Sequence, residues 1–186
     1  AVHVAPTVTA GGTATFDGGG SPVALDSTIT LSDVDSSGNL SGATVTIGGL
    51  VNGDTLNFTN TAHISGSYDA ATGVLTLNGT DTLTNYQAAL DSITYSCSPA
   101  NGDPTSGGSA TARTISWAVT DGVATSATAT STLDAVHVAP TVTAGGTATF
   151  DGGGSAVTLD GTLRLRDSDS SNTLTGATGT ISSGLL

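Results

Sequence analysis

The first twenty-one residues, AVHVAPTVTAGGTATFDGGGS from Ala1 to Ser21, return unchanged from Ala135 to Ser155. The copy starts at 135 where the original starts at 1, a period of 134 residues. Beyond the identical stretch the match continues in register. Leu31-Ser-Asp33-Val-Asp35 returns as Leu165-Arg-Asp167-Ser-Asp169, and Gly42-Ala-Thr as Gly176-Ala-Thr. A fixed period within one chain means tandem copies of one folding unit. It favours an array, in which length and surface are the product, over a lone enzyme. The register predicts a complete unit at 1–134 followed by the N-terminal part of the next at 135–186. The alternative register is a fragment at 1–52 followed by a permuted unit at 53–186.

Composition decides what such a unit is made of. All fifteen acidic residues are Asp, and the only cationic side chains at neutral pH are Arg113, Arg164 and Arg166, for a formal charge of −12. Glu, Lys and Met, all good helix formers, are missing. Thr, Ser, Val, Ala and Gly suit strands and turns instead. Nucleic acid is excluded as a partner because almost nothing neutralises phosphate. No apolar run is long enough to insert into a membrane. No secretory leader is visible, and Ala1 reads as a cut into an array. Cys97 is the single cysteine, so no disulfide forms within the chain. Without Lys there is no Lys–Asn isopeptide crosslink either. Stability must come from packing and backbone ladders, with metal as an optional addition.

Short β-rich runs alternate with turn signals through residue 134. Strands are expected at Thr7–Thr9, Thr13–Phe16, Val23–Leu25, Thr28–Leu31, Ala43–Ile47, Thr55–Phe58, Gly66–Tyr68, Val74–Leu77, Ser92–Tyr95, Thr114–Val119 and Thr125–Leu133. Asp17-Gly-Gly-Gly, Ser36-Ser-Gly-Asn39, Asn78-Gly79, Asn101-Gly-Asp-Pro104 and Asp121-Gly122 separate them. That spacing predicts an all-β, antiparallel β-sandwich. Period-two alternation places Ile115, Trp117 and Val119 on one face. With Phe16, Ile29, Leu31, Val45, Ile47, Leu56, Phe58, Leu75, Leu77 and Tyr95 they form the expected core. Thr84-Asn-Tyr-Gln-Ala-Ala-Leu-Asp91 has a capping-box shape, with Thr84 as N-cap and Gln87 three residues on. It predicts one short helical turn with Tyr86 and Leu90 on a shared face.

Taken as a set, several segments resemble the tandem cadherin-like or immunoglobulin-like repeats of large bacterial surface proteins, such as RTX-type and biofilm-associated adhesins. They include Leu40-Ser-Gly-Ala-Thr-Val-Thr-Ile47, Ile64-Ser-Gly-Ser-Tyr-Asp69, Gly73-Val-Leu-Thr-Leu-Asn-Gly79, Tyr86-Gln-Ala-Ala-Leu90 and Arg113-Thr-Ile-Ser-Trp-Ala-Val-Thr-Asp-Gly122. The resemblance implies an extracellular protein of the bacterial cell surface, forming a stalk, fibre or biofilm matrix and often stiffened by calcium. Its partners would be neighbouring repeats, or other copies that donate strands to complete the second unit.

Calcium takes 6–8 oxygen ligands, and Asp carboxylates are suitable donors. Asp33 and Asp35 are the leading pair, since a turn after a strand can aim both at one ion. They recur as Asp167 and Asp169, and Asp121 and Asp134 can join them. The junction Asp134-Ala-Val-His-Val-Ala-Pro140 keeps the outer Asp and Pro of a cadherin linker, but Val136, His137 and Val138 stand where polar ligands belong. His137 is a soft ligand or a structural residue. Catalysis finds no support: His3, His63 and His137 have no metalloprotease spacing. A glycosidase would want aromatic platforms, and the chain has one Trp. The alternative is an adhesin module whose loops hold a glycan or protein; the exchange of Thr30 and Ser32 for Arg164 and Arg166 would be its contact patch.

Overall fold

The computed structural model describes residues 2–99, 102–171 and 173–182. Asn101, in one of the expected turns, lies outside them. Among the described residues thirteen strands and one helix follow in order: β1 (Thr7–Thr9), β2 (Thr13–Asp17), β3 (Val23–Ala24), β4 (Thr30–Ser32), β5 (Asn39–Gly48), β6 (Asp54–Asn57), β7 (Ser65–Asp69), β8 (Val74–Thr82), α1 (Leu83–Asp91), β9 (Thr94–Cys97), β10 (Ala112–Thr120), β11 (Ala129–Val136), β12 (Thr141–Thr143) and β13 (Arg164–Arg166). The architecture is an all-β sandwich with one short helix. A six-stranded sheet in the order β2-β11-β10-β5-β8-β7 faces a three-stranded sheet β3-β9-β6 and the ribbon β1-β4. Every strand pair is antiparallel except β2 and β11, which run parallel from Thr13 beside Thr132 to Asp17 beside Val136.

Alternation explains why these strands stack. In β10, Ile115, Trp117 and Val119 are buried, while Thr114 is exposed. Ile115 lies opposite Ile47 and Trp117 opposite Val45, so neighbouring strands present one apolar face. Leu75, Leu77 and Leu133 extend that face, and Leu56, Tyr95 and Cys97 close on it from the other sheet. The Phe16 ring meets Tyr95 edge-on, with centroids 5.2 Å apart, a favoured aromatic geometry. Leu31 and Phe58, expected inside, are only partly buried against this core. Each fully buried large apolar side chain contributes about 1.5–3 kcal/mol. Trp117 also donates its indole N–H to Ser131 Oγ at 2.7 Å.

The helix forms where expected but is capped two residues earlier. Thr82, not Thr84, is the N-cap: its hydroxyl accepts from Asn85 N–H at 3.2 Å. Strand β8 runs to Thr82, so the chain leaves the sheet there and the first free N–H groups follow at once. Tyr86, Ala89 and Leu90 are buried. The Tyr86 hydroxyl donates to Gly79 C=O, and burial pushes its pKa up to about 12. Gly79 itself has φ +128, and a Cβ there would lie 1.8 Å from His63 C=O, so only glycine fits.

One ion pair is buried within the sandwich. Arg113 is 1% exposed and Asp54 2%. Arg113 Nε donates to Asp54 Oδ2 at 2.7 Å, and the Tyr95 hydroxyl donates to Asp54 Oδ1 at 2.5 Å. Burial, then Asp54, raises the Tyr95 pKa far above its ordinary value, and burial lifts the Cys97 thiol to about 11. Cys97 is buried and free, so it is held as an unreactive thiol. The remaining guanidinium donors reach Ala110 C=O at 2.7 Å and Pro104 C=O at 2.8 Å. Arg113 therefore ties the loop before β10 to the core.

The last strand does not stop at residue 134. Ala135 and Val136 still belong to β11 and pair with Phe16 and Asp17. Beyond them the second copy repeats the local structure of the first. Thr141 lies opposite Arg166 and Thr143 opposite Arg164, the register of Thr7 with Ser32 and Thr9 with Thr30. Asp26 Oδ2 accepts from Gly11 and Gly12 N–H, and Asp160 Oδ2 accepts from Gly145 and Gly146 N–H. What differs is whatever needs residues 53–134 as partners. Phe16, Leu25, Ile29, Leu40 and Ile47 are buried, whereas Phe150, Leu159, Leu163, Leu174 and Ile181 are exposed. Among the described residues no helix is long and apolar enough to cross a membrane.

Candidate metal centre

Each copy builds the same acidic turn after its ribbon strand. Asp35 N–H donates to Asp33 Oδ1 at 3.2 Å, and Asp169 N–H to Asp167 Oδ1 at 3.3 Å. The first carboxylate thus folds the turn by a local side-chain bond, and the second is left to face the incoming strand. Asp35 Oδ2 accepts from Val4 N–H at 2.8 Å; Asp169 Oδ2 accepts from Val138 N–H at 2.7 Å. The histidine before that valine, His3 or His137, is brought against the same carboxylate.

The two clusters then diverge. In the first, His3 lies between two acids on opposite ring nitrogens: Nε2 is 2.7 Å from Asp121 Oδ2, and Nδ1 is 3.4 Å from Asp35 Oδ2. Asp121 is fixed by its own turn, accepting from Val123 and Ala124 N–H at 2.7 and 2.8 Å. In the second, both acids face one nitrogen. His137 Nδ1 is 3.0 Å from Asp169 Oδ2 and 3.6 Å from Asp103 Oδ1. Asp103 belongs to the preceding unit, where Thr105 and Gly107 N–H hold its carboxylate at 2.7 Å each.

A glycine floor permits this contact. A Cβ on Gly18 would lie 2.0 Å from Asp169 Oδ2, and one on Gly19 2.2 Å from Ser168 C=O. Gly102 has φ +82, and a Cβ there would lie 2.4 Å from Asp169 C=O. Gly18 N–H also donates to Val136 C=O at 2.9 Å. The seat carries the consequence for burial: Asp169 is fully buried while the equivalent Asp35 is exposed. Around Gly152 and Gly153, the copies of Gly18 and Gly19, no atom lies within 4 Å of such a Cβ.

Of the residues expected to bind metal, Asp35 and Asp121 meet at His3, and Asp169 meets His137. Asp33 and Asp167 shape the turns. Asp134 is not brought to either group: it sits within β11, opposite Ala112 and Thr15. Asp103 was missed, although its Asn-Gly-Asp-Pro turn was visible. Each cluster offers one imidazole nitrogen and two carboxylates within 4.8 Å of one another. That is far short of the oxygen shell of calcium, so water or carbonyl groups would have to supply the rest.

His3 gives a pH prediction. Its pKa is raised above 6.5 by the hydrogen bond to Asp121, and that of Asp121 is lowered below 3.8 by the Ala124 and Val123 N–H bonds, with His3 adding. A raised imidazole contributes fully below its unfolded value and loses the contribution as pH rises through the folded one. The lowered carboxylate contributes above 3.8 and fades as pH falls through its folded value. The melting-temperature gap between wild type and His3→Ala should therefore be widest between pH 3.8 and 6.5 and close in alkaline buffer. An equal gap at all pH values would remove the ion pair as its cause.

No protein-family model and no curated protein matches the chain.

Proposed function

We propose that the chain is a structural repeat of an extracellular bacterial surface array, working as a stalk, fibre or matrix strand. Its partners in this reading are neighbouring repeats, joined head to tail or completed by strand donation from another copy, and no catalysis is assigned to it. One observation carries the reading: the unit has two different, complementary surfaces, and both the docking turn and the glycines that receive it occur twice. Gly18, Gly19 and Asp103 receive the turn at Asp167–Asp169. The receiving glycines recur uncovered at Gly152 and Gly153, and the docking turn recurs at Asp33–Asp35. A contact between unlike surfaces of the same unit leaves one of each free at the ends, and it propagates as an open filament wherever its rotation does not close a ring.

Calcium belongs to this proposal through the acidic turns. Asp33 Oδ2 is buried with no hydrogen-bond partner among the described residues, as a carboxylate oxygen awaiting a cation would be. Saturation at 100 times the dissociation constant adds about 2.7 kcal/mol. Electron microscopy of the native material tests the array, with a beaded thread expected and isolated globules against it. Melting with and without saturating calcium tests the ion, an unchanged midpoint removing it.

A further inference from the structure

We propose that Asp103, His137 and Asp169 bind a divalent transition cation of the zinc class, which locks the second unit onto the first. The site concerns this junction alone. It stands whether or not the chain belongs to an extracellular array; it takes Asp169 from the second acidic turn, so the calcium proposed above is left to the first turn at Asp33–Asp35.

Three features point to this chemistry. The first is the donor set. Two carboxylate oxygens and an imidazole nitrogen suit zinc-class ions, which are bound by His with Asp or Glu, while calcium prefers oxygen throughout. The second is geometry. Bonds of about 2.1 Å in a tetrahedral site place ligand atoms about 3.4 Å apart. The distances from His137 Nδ1, 3.0 Å to Asp169 and 3.6 Å to Asp103, bracket that value. Both acids approach the same nitrogen, as ligands of one ion must. At His3 the short contacts fall on opposite nitrogens, the arrangement of a bridging imidazolium.

The third feature is one Asp169 carboxylate oxygen without a donor, although its sister Oδ2 accepts from Val138 N–H at 2.7 Å and lies 3.0 Å from His137 Nδ1. Asp169 is fully buried, yet its Oδ1 has no hydrogen-bond partner among the described residues. Buried carboxylate oxygens are normally paired, because leaving one bare costs heavily. A cation at the cluster would supply that partner. The support around the ligands is already built. Thr105 and Gly107 N–H orient Asp103, and Val138 N–H orients Asp169. Outer hydrogen bonds of this kind fix metal ligands.

The test is zinc titration of the metal-free 186-residue protein by calorimetry, with and without millimolar calcium. Expected is one Zn²⁺ per chain that calcium does not displace. His137→Ala and Asp103→Asn should each weaken it at least about tenfold, the least that disturbing a metal's surroundings costs. A His3→Ala/His63→Ala double variant should bind like wild type. Trp117 fluorescence reports whether each variant keeps the first unit folded. No zinc binding, binding indifferent to His137→Ala, or displacement by calcium would each overturn the site.

Discussion

Arg113→Ala is expected to cost about 3–5 kcal/mol, the usual penalty for breaking a buried ion pair from one side. Arg113 is 1% exposed, and its loss leaves the Asp54 carboxylate to the Tyr95 hydroxyl, the Val51 N–H and the Cys97 thiol among the described residues. Against a total stability of about 5–15 kcal/mol, that is enough to unfold a marginal unit. Urea denaturation followed by circular dichroism would read it as a large fall in midpoint. A control separates charge from packing: the triple change Arg113→Met, Asp54→Val, Tyr95→Phe removes every member together. It should recover much of the loss, since apolar replacements of buried ion pairs are often neutral. A second effect follows from the carbonyls of Pro104 and Ala110 that Arg113 holds. Asp103 stands on that loop, so the single variant should also bind zinc more weakly. An Arg113→Ala protein as stable as wild type would mean the pair contributes nothing net.

Trp117→Ala is the other large change, at about 3–5 kcal/mol for emptying an aromatic site in a packed core. Trp117 is fully buried at the middle of the six-stranded sheet, opposite Val45 on one neighbour and Ala129 on the other. Its loss also strips Ser131 Oγ of its indole donor. Trp117→Phe keeps most of the volume and should cost less, the remainder reflecting that lost hydrogen bond, about 1–3 kcal/mol. The ratio of the two midpoints measures packing against polar satisfaction. Equal losses would show that the indole N–H, and not the ring, is what the core requires.

The sandwich was legible because its signal is local. Ile115, Trp117 and Val119 announce a buried face within five residues, and the Asp-Gly and Asn-Gly turns mark where strands end. The helix was legible in place but not in start, because Thr82 and Thr84 carry the same capping chemistry and only the reach of β8 chooses between them. The parallel pairing of β2 with β11 had no such mark, since nothing in either strand names its neighbour. The Arg113–Asp54 pair joins positions 59 residues apart, and neither residue type advertises burial. The site was half visible. Repetition singled out Asp33, Asp35, Asp167 and Asp169, but Asp103 acquires meaning only when the glycine floor brings the next unit to it. Asp134 looked like a linker ligand because Pro140 follows it; β11 simply continues through Val136 and keeps it in the ladder.

The parallel neighbours β2 and β11 lie at opposite ends of the first unit's sequence. Tension applied along a chain of such units would draw these two strands past each other lengthwise. Their ladder bonds, from Thr13 beside Thr132 to Asp17 beside Val136, would then resist together instead of opening one at a time like a zip. The strand that would bear this strain is also the one that crosses into the second copy, so in the proposed array a pull would reach the next unit through this parallel pair.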